Sequence, residues 1–486
     1  MNDAIKKIKL EKNNETPLYR QLADGIFSLM ENRLVKMDER LPSVRELAAA
    51  LGINNGTAAA AYRVLEEKNV LRTVHGRGSF CAFTGREDGF APIVKRKCPY
   101  LAPNTVIKAD FTKTSVSDTL FPVEKFRDIF NMVLERDKGQ AFSYQPSVGY
   151  EPLRRSLARL LAEKGIKTSA DRIQIISGSQ QGIDLVARAF VRSGNAVYCE
   201  QFTYLGAANS MLAQNAEIFS VPLSGDGIDI SALEKMIKER TPRLVYVMPR
   251  FQTPTGISYS LECKRALLNL AYKHDFYIIE EDNLSDFDYS GEAAAPLKAL
   301  DYKNKVIYIK SFSKILMPGL RLGYMVLPKA VSEKIADLKA STDISTSGFT
   351  QRAFDMFLQT KGWERHKSDI AALFKNKCSL AYSLAKKHLS EFFEISEPKG
   401  GLTLWLKVKQ PYDTESLCRA FAEEGIAVIS GGFYTLAPEN VPYIALSFAD
   451  IDDESMKTGF ECMEKVCGRI TAHSNIVKDI KKCPLL

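Results

Sequence analysis

Tyr308-Ile309-Lys310-Ser311-Phe312-Ser313-Lys314, continued by Pro318-Gly319-Leu320-Arg321-Leu322-Gly323-Tyr324, decides how the large part of this chain is read. An apolar strand runs into two serines and a lysine, with an arginine shortly after. A lysine relieved of its charge in a closed pocket forms a Schiff base with an aldehyde, and hydroxyls with a guanidinium hold a phosphate through charge-assisted hydrogen bonds. The set suits pyridoxal 5'-phosphate (PLP): Lys314 is the catalytic, cofactor-attaching residue, and Ser311, Ser313 and Arg321 are phosphate ligands.

Working outward, each further candidate has a physical task. Ser177-Gly178-Ser179-Gln180-Gln181-Gly182 precedes the helical run Ile183 to Val191. The backbone amides of that turn, Gln180 included, and the Ser179 hydroxyl would cradle a phosphate at a helix N-terminus. Tyr204, in Glu200-Gln201-Phe202-Thr203-Tyr204, would stack on a pyridine ring, although a lone aromatic after a strand also reads as core. Asp282, closing the strand through Ile278-Ile279-Glu280-Glu281, would pair with a protonated ring nitrogen. The same acidic cluster could bind a metal, but no histidine lies nearby, so no metal site is expected.

The strands around these residues define the fold class. Ile173-Gln174-Ile175-Ile176, Ala196-Val197-Tyr198-Cys199, Leu244-Val245-Tyr246-Val247, Phe276-Tyr277-Ile278-Ile279, Val306-Ile307-Tyr308-Ile309 and Tyr324-Met325-Val326-Leu327 alternate with helical patterns. Such runs predict an α/β domain with a mostly parallel sheet covered on both faces. Ligands in such sheets lie at the carboxyl ends of strands, where most of these candidates fall. Residues 378 to 470 return to mixed elements and predict a smaller lobe.

The chain has 486 residues, 45% hydrophobic and 26% charged, with a formal net charge of +8. This is the composition of an ordinary soluble protein of two or three domains. The charge permits a nucleic-acid partner without requiring one. Nine cysteines, an odd number without a CxxC pair, point to reduced thiols. With no leader-like apolar stretch behind Met1 to Lys12 and no run long enough to span a bilayer, a cytoplasmic location and no membrane partner are expected.

Near the start, Leu18, Leu22, Ile26, Leu29 and Met30 predict an amphipathic helix. Ser43 with Glu46 forms a capping-box pattern before Leu47, Ala48 and Leu51, and Gly52 ends that helix. A third helix is expected over about 55–68, leaving Asn55, Thr57 and Arg63 outward. Two short helices joined by a glycine turn suit major-groove docking, but equally suit plain packing. Val70 to Phe80 reads as two strands about a glycine turn carrying Arg77. Residues 84–108, with Gly85, Gly89, Pro92, Pro99, Pro103 and Lys95-Arg96-Lys97, read as a linker.

Residues 17 to 82 resemble the winged helix-turn-helix of the GntR superfamily, through Leu41-Pro42-Ser43-Val44-Arg45-Glu46-Leu47-Ala48, Leu51-Gly52-Ile53, Thr57 with Ala61-Tyr62, and Gly76-Arg77-Gly78-Ser79-Phe80. That likeness implies DNA contacts from Ser43, Arg45, Asn55, Thr57, His75, Gly76 and Arg77, on a domain of residues 14–83. Asn54-Asn55 stands where the family often has Ser-Arg, so a guanine-reading arginine is missing and Asn55 is matched to adenine.

Residues 109 to about 468 resemble fold-type I aminotransferases, through Tyr144-Gln145-Pro146-Ser147-Val148-Gly149 with Leu153-Arg154, Ser177 to Gly182, Gln252-Thr253-Pro254-Thr255-Gly256, Glu281-Asp282, and Ser311 to Lys314 with Arg321. The whole chain is similar to the MocR subfamily of transcriptional regulators. The resemblance implies a domain over 109–470, a tail over 471–486, a head-to-tail homodimer, and double-stranded operator DNA with a small-molecule effector as partners. Tyr144 would approach the cofactor phosphate across the dimer, and Thr253 would sit beside the ring.

Departures from the enzyme pattern set a further expectation. Ala445 stands where a substrate-carboxylate arginine is usual, Leu284 where a tyrosine is usual, and Thr253 where an asparagine or aromatic is usual. The domain is therefore expected to act as a sensor of PLP, or of an amine or amino-acid-like effector reacting at the Lys314 internal aldimine. The alternatives are an active aminotransferase with an accessory reader and a cofactor-free dimerisation scaffold.

Overall fold

The computed structural model describes residues 5, 8, 10, 16–31, 34–35, 39–67, 70–74, 78–82, 93, 95, 97–102, 104–291, 295–409, 412–436 and 441–481, with side chains as far as Ile470. The chain divides into two compact units, Met1–Ala91 and Pro92–Leu486.

In the first unit, helix Leu18–Glu31 buries Leu22, Ile26 and Met30 against Ala58, Ala61 and Leu65 of helix Asn55–Glu67. Between them lies helix Val44–Leu51, opened by the expected capping box. The Ser43 amide donates to Glu46 Oε2 at 2.8 Å, and the Glu46 amide donates to Ser43 Oγ at 3.3 Å. Gly52 closes it in the left-handed conformation, φ 63°, where a β-carbon would be strained. Asn54 caps the third helix, its Oδ1 accepting from the Thr57 amide at 2.7 Å. Strands Leu71–Val74 and Gly78–Cys81 pair antiparallel, as a wing requires.

The second unit is built on a seven-stranded sheet in the order Ile173–Ile176, Gly323–Val326, Val306–Ser311, Tyr277–Glu281, Leu244–Val247, Ala196–Glu200, Glu217–Val221. Only Gly323–Val326 runs antiparallel to its neighbours. The edge strand Glu217–Val221 escaped the sequence reading because its burial is partial and its apolar pattern short. Alternation divides the sheet between two cores. Ile279, Ile307 and Ile309 pack with Ile183 and Val186 of helix Ser179–Phe190. Ile278 and Val306 pack with Leu267 and Ala271 of helix Leu261–His274.

A four-stranded antiparallel sheet, Phe393–Ile395, Thr403–Val408, Tyr443–Ser447 and Ile429–Ser430, forms the smaller lobe. Ala109–Asp110 pairs with its Ile426–Ala427. The stretch expected as a linker joins this unit in its described part. The Ile93 amide donates to Asn209 Oδ1, Lys95 Nζ donates to the carbonyls of Gly432 and Thr435, and Lys97 Nζ donates to the Thr112 carbonyl. Among the described residues eight cysteines are free thiols, no metal-binding cluster occurs, and no helix is long and apolar enough to cross a membrane.

Candidate functional site

Four strand ends bring the site together. After Ile173–Ile176, Gly178 turns with φ 104° into helix Ser179–Phe190. A β-carbon there would stand 2.9 Å from Nη2 of Arg321, so glycine lets the guanidinium approach the helix N-terminus. Ser311 Oγ and Ser313 Oγ lie 2.8 Å apart at the end of Val306–Ser311. Asn283 ties these parts together: its Oδ1 accepts from the Ser311 amide at 3.1 Å, and its Nδ2 donates to Ser179 Oγ at 3.4 Å and to Glu281. Sequence reasoning missed Asn283. Its only signal was its place two residues past a strand-end carboxylate.

Lys314 Nζ donates to the Thr114 carbonyl at 2.6 Å and to Thr114 Oγ1 at 3.2 Å. Burial first, then the charge of Lys97, push this amine down to about 8, against the opposing pull of Glu281. Tyr204 is 43% exposed. Burial of its hydroxyl, then Glu281, raise its pKa, while Arg321 opposes, which places that ring among the same charges.

The carboxylate facing this group is Glu281, not the expected Asp282. Successive strand residues point to opposite faces. Glu281 pairs in register with Ile309, on the side of Ser311, and accepts from Tyr246 Oη and Asn283 Nδ2. Asp282 turns to the other face. Its Oδ2 accepts from Arg250 Nη2 and Tyr308 Oη, and its carbonyl accepts from Lys310 Nζ at 3.1 Å. Lys310 also pairs with Asp286 at 2.6 Å, and Lys164 pairs with Asp286 at 3.3 Å. Burial alone would raise the Asp282 carboxyl, but Arg250, then Lys310 and Lys164, outweigh it and hold it well below the usual range. This side borders a cleft lined by Lys164, Arg250, Asp286, Trp405 and Tyr443. Lys314 is not among its walls.

The Gln180 side chain donates to Gly206 O and Ser210 Oγ, holding helix Leu205–Leu212, so only its backbone amide is left for an anion. Thr253 is half-buried in a loop framed by Gln252, whose Oε1 accepts from the Thr255 amide and hydroxyl. Tyr144 is 83% exposed. Ala445 is fully buried with Phe202, Ile429, Tyr434 and Val441, so no cation enters from that strand position.

In the first unit Arg45 and Asn55 are exposed and Thr57 is half-buried. Ser43 is committed to its cap. His75, Gly76 and Arg77 lie outside the described residues. Ser43→Ala is expected to cost about 1 kcal/mol of stability, read by urea denaturation followed by far-ultraviolet circular dichroism.

The PLP fit is tested by this geometry. A helix N-terminus, three hydroxyls and a guanidinium with no carboxylate partner among the described residues match a phosphate dianion. A buried amine of lowered basicity matches the aldehyde, and a buried carboxylate matches a ring nitrogen. The residues present fit the group.

Comparison with known proteins agrees. Residues 113–461 match the aminotransferase class I and II family, and residues 18–81 match the gntR family of bacterial regulatory proteins. The probable rhizopine catabolism regulatory protein MocR of Rhizobium meliloti is 24% identical over 93% of this chain and 94% of its own. The 2-aminoadipate transaminase of Thermus thermophilus is 30% identical over 70% of this chain and 85% of its own. The crystal structure of LysN, an α-aminoadipate aminotransferase from Thermus thermophilus complexed with N-(5'-phosphopyridoxyl)-L-leucine, superposes with a TM-score of 0.71 at 26% identity, covering 78% of this chain and 96% of that one. The chain belongs to the PLP-dependent class I and II aminotransferase family, in the MocR-type arrangement with a gntR-family helix-turn-helix ahead of the aminotransferase domain.

Proposed function

We propose that this protein is a DNA-binding transcriptional regulator whose aminotransferase-like domain holds PLP on Lys314 and responds to a small amine. The observation carrying this reading is the coexistence, in one chain, of a capped helix-turn-helix and a phosphate cradle beside a buried amine of lowered basicity. When bound, PLP supplies a carbonyl that exchanges one amine for another.

The chain's own residues would do the rest. Ser179, Ser311, Ser313 and Arg321 would hold the phosphate, and the Gly178–Ser179 turn would point backbone amides at it. Glu281, kept in place by Tyr246 and Asn283, would hold the ring nitrogen's proton. Tyr204 would cover the ring, and Thr114 would orient the Lys314 amine. On the reader, Arg45, Asn55 and Thr57 would meet DNA. Tyr144 belongs to this reading only through a second copy of the chain, in a homodimer. A response to ligand requires that occupancy favour one DNA-bound arrangement over another.

The test is a gel shift on a duplex from the protein's own upstream region, with PLP-loaded and PLP-stripped full chain, with and without amines. Mobility and affinity that never change with cofactor or amine refute the reading. A pH dependence also follows. Because the neutral amine attaches the cofactor, the loading rate should rise about tenfold per pH unit below about pH 8 and level off above it. Stopped-flow absorbance at fixed PLP measures this.

A further inference from the structure

Lys97, near the start of the second unit, meets Lys314 at Thr114. Lys97 Nζ donates to the Thr112 carbonyl at 2.9 Å and to Thr114 Oγ1 at 3.3 Å. The same Thr114 Oγ1 accepts from Lys314 Nζ at 3.2 Å. Two ammonium groups therefore converge on one hydroxyl. Like charges drawn onto one acceptor are unfavourable in a half-buried place unless an anion compensates them.

Both acceptors of Lys97 are neutral oxygens, and no carboxylate lies within ion-pair distance of it among the described residues. Asp110, the nearest acid acting on it, spends Oδ1 on the amide and hydroxyl of Thr112. Ala445, buried with Phe202 and Tyr434, offers no cation in place of the usual arginine. Lys97 is also held in place by its own stretch, since Ile93 and Asn209 exchange two hydrogen bonds and Lys95 binds the carbonyls of Gly432 and Thr435.

We propose that Lys97 binds the carboxylate of the effector, so that the effector is a small amine carrying an acidic group and is held through the segment that leads to the reader. The proposal rests on the reading of the domain as a PLP-holding sensor. The effector's amine would bond the cofactor's carbonyl carbon as that carbon's bond to the Lys314 nitrogen breaks, its protons passing to the released Lys314 amine, and its carboxylate would lie between Lys97 and the Thr114 hydroxyl. Lys97 thus takes the part that the strand position at Ala445 leaves vacant. Burial, opposed by Asp110, lowers the basicity of Lys97. An arriving carboxylate would reverse that shift.

The test uses PLP-loaded full chain, the twenty common amino acids, and the matching amine lacking the carboxylate for each, with the absorbance of the bound cofactor as readout. For at least one pair, half-response should come at a concentration at least about tenfold lower for the amino acid, because a charge-assisted contact is lost with the carboxylate. Lys97→Met should abolish the preference while keeping the response to the plain amine, and Lys97→Arg should retain it. A thermal melt like the parent's and a bound-cofactor band in Lys97→Met establish that it folds and loads; the band's pH dependence is expected to shift because the Lys97 charge acts on Lys314. A preference unchanged in Lys97→Met, or no preference for any amino acid in the parent, overturns the proposal. A parent chain that never takes up PLP instead overturns the sensor reading on which it rests.

Discussion

Lys314→Ala is expected to abolish covalent retention of PLP: no absorbance band from an attached cofactor, and no pyridoxyl peptide after borohydride reduction and mass mapping. The reason is geometric as well as chemical. Lys314 directly follows the Ser311–Ser313 turn, and its amine, held by Thr114, has its basicity brought down to about 8. Lys310, four residues earlier, is fully buried on the other face and occupied by Asp286, Asp282 and Ser285. It is not a substitute. The phosphate ligands survive the substitution, so weak, dialysable PLP binding should persist. An adduct at another lysine, or an unchanged effector response in the gel shift, would refute the assignment.

Arg250→Leu should cost about 3–5 kcal/mol of stability because it removes one partner of a buried ion pair. Arg250 and Asp282 are 9% and 1% exposed as side chains, and the pair has Tyr308 as a further donor. The pH dependence has a definite sign. Asp282 has a folded pKa below its unfolded value, so its contribution is present above about pH 4 and is lost as the pH falls below that. The difference between parent and Arg250→Leu should accordingly narrow in acid, as read by urea denaturation at pH 7 and below 4. A contrast locates the functional carboxylate. Glu281→Gln should change the bound-cofactor spectrum with little loss of stability, whereas Asp282→Asn should destabilise first. The reverse pattern would return the ring-nitrogen role to Asp282.

Much of this protein was set locally and could be read without a fold. The Ser43 and Glu46 capping box, the left-handed Gly52 and the helical spacing of Leu22, Ile26 and Met30 depend on residues within a turn or two of each other. The buried strands announce themselves because a strand covered on both faces must be apolar throughout. The cluster from Ser311 to Arg321 is likewise contiguous, so its chemistry was visible as residues in a row.

Tertiary structure alone decided which side each strand-end residue faces and which distant groups meet. Glu280, Glu281 and Asp282 are three adjacent acids, and a one-residue change of phase exchanges their environments. Only pairing with Val306–Ser311 sends Glu281 toward Ser311 and Asp282 toward Arg250. The meeting of Lys97 with Lys314 at Thr114 joins residues far apart in sequence, through a stretch with no regular periodicity of its own. Local patterning carries which elements form because that energy is local. The partners of a buried charge are chosen by packing between elements, and that choice exists only once the chain has closed on itself.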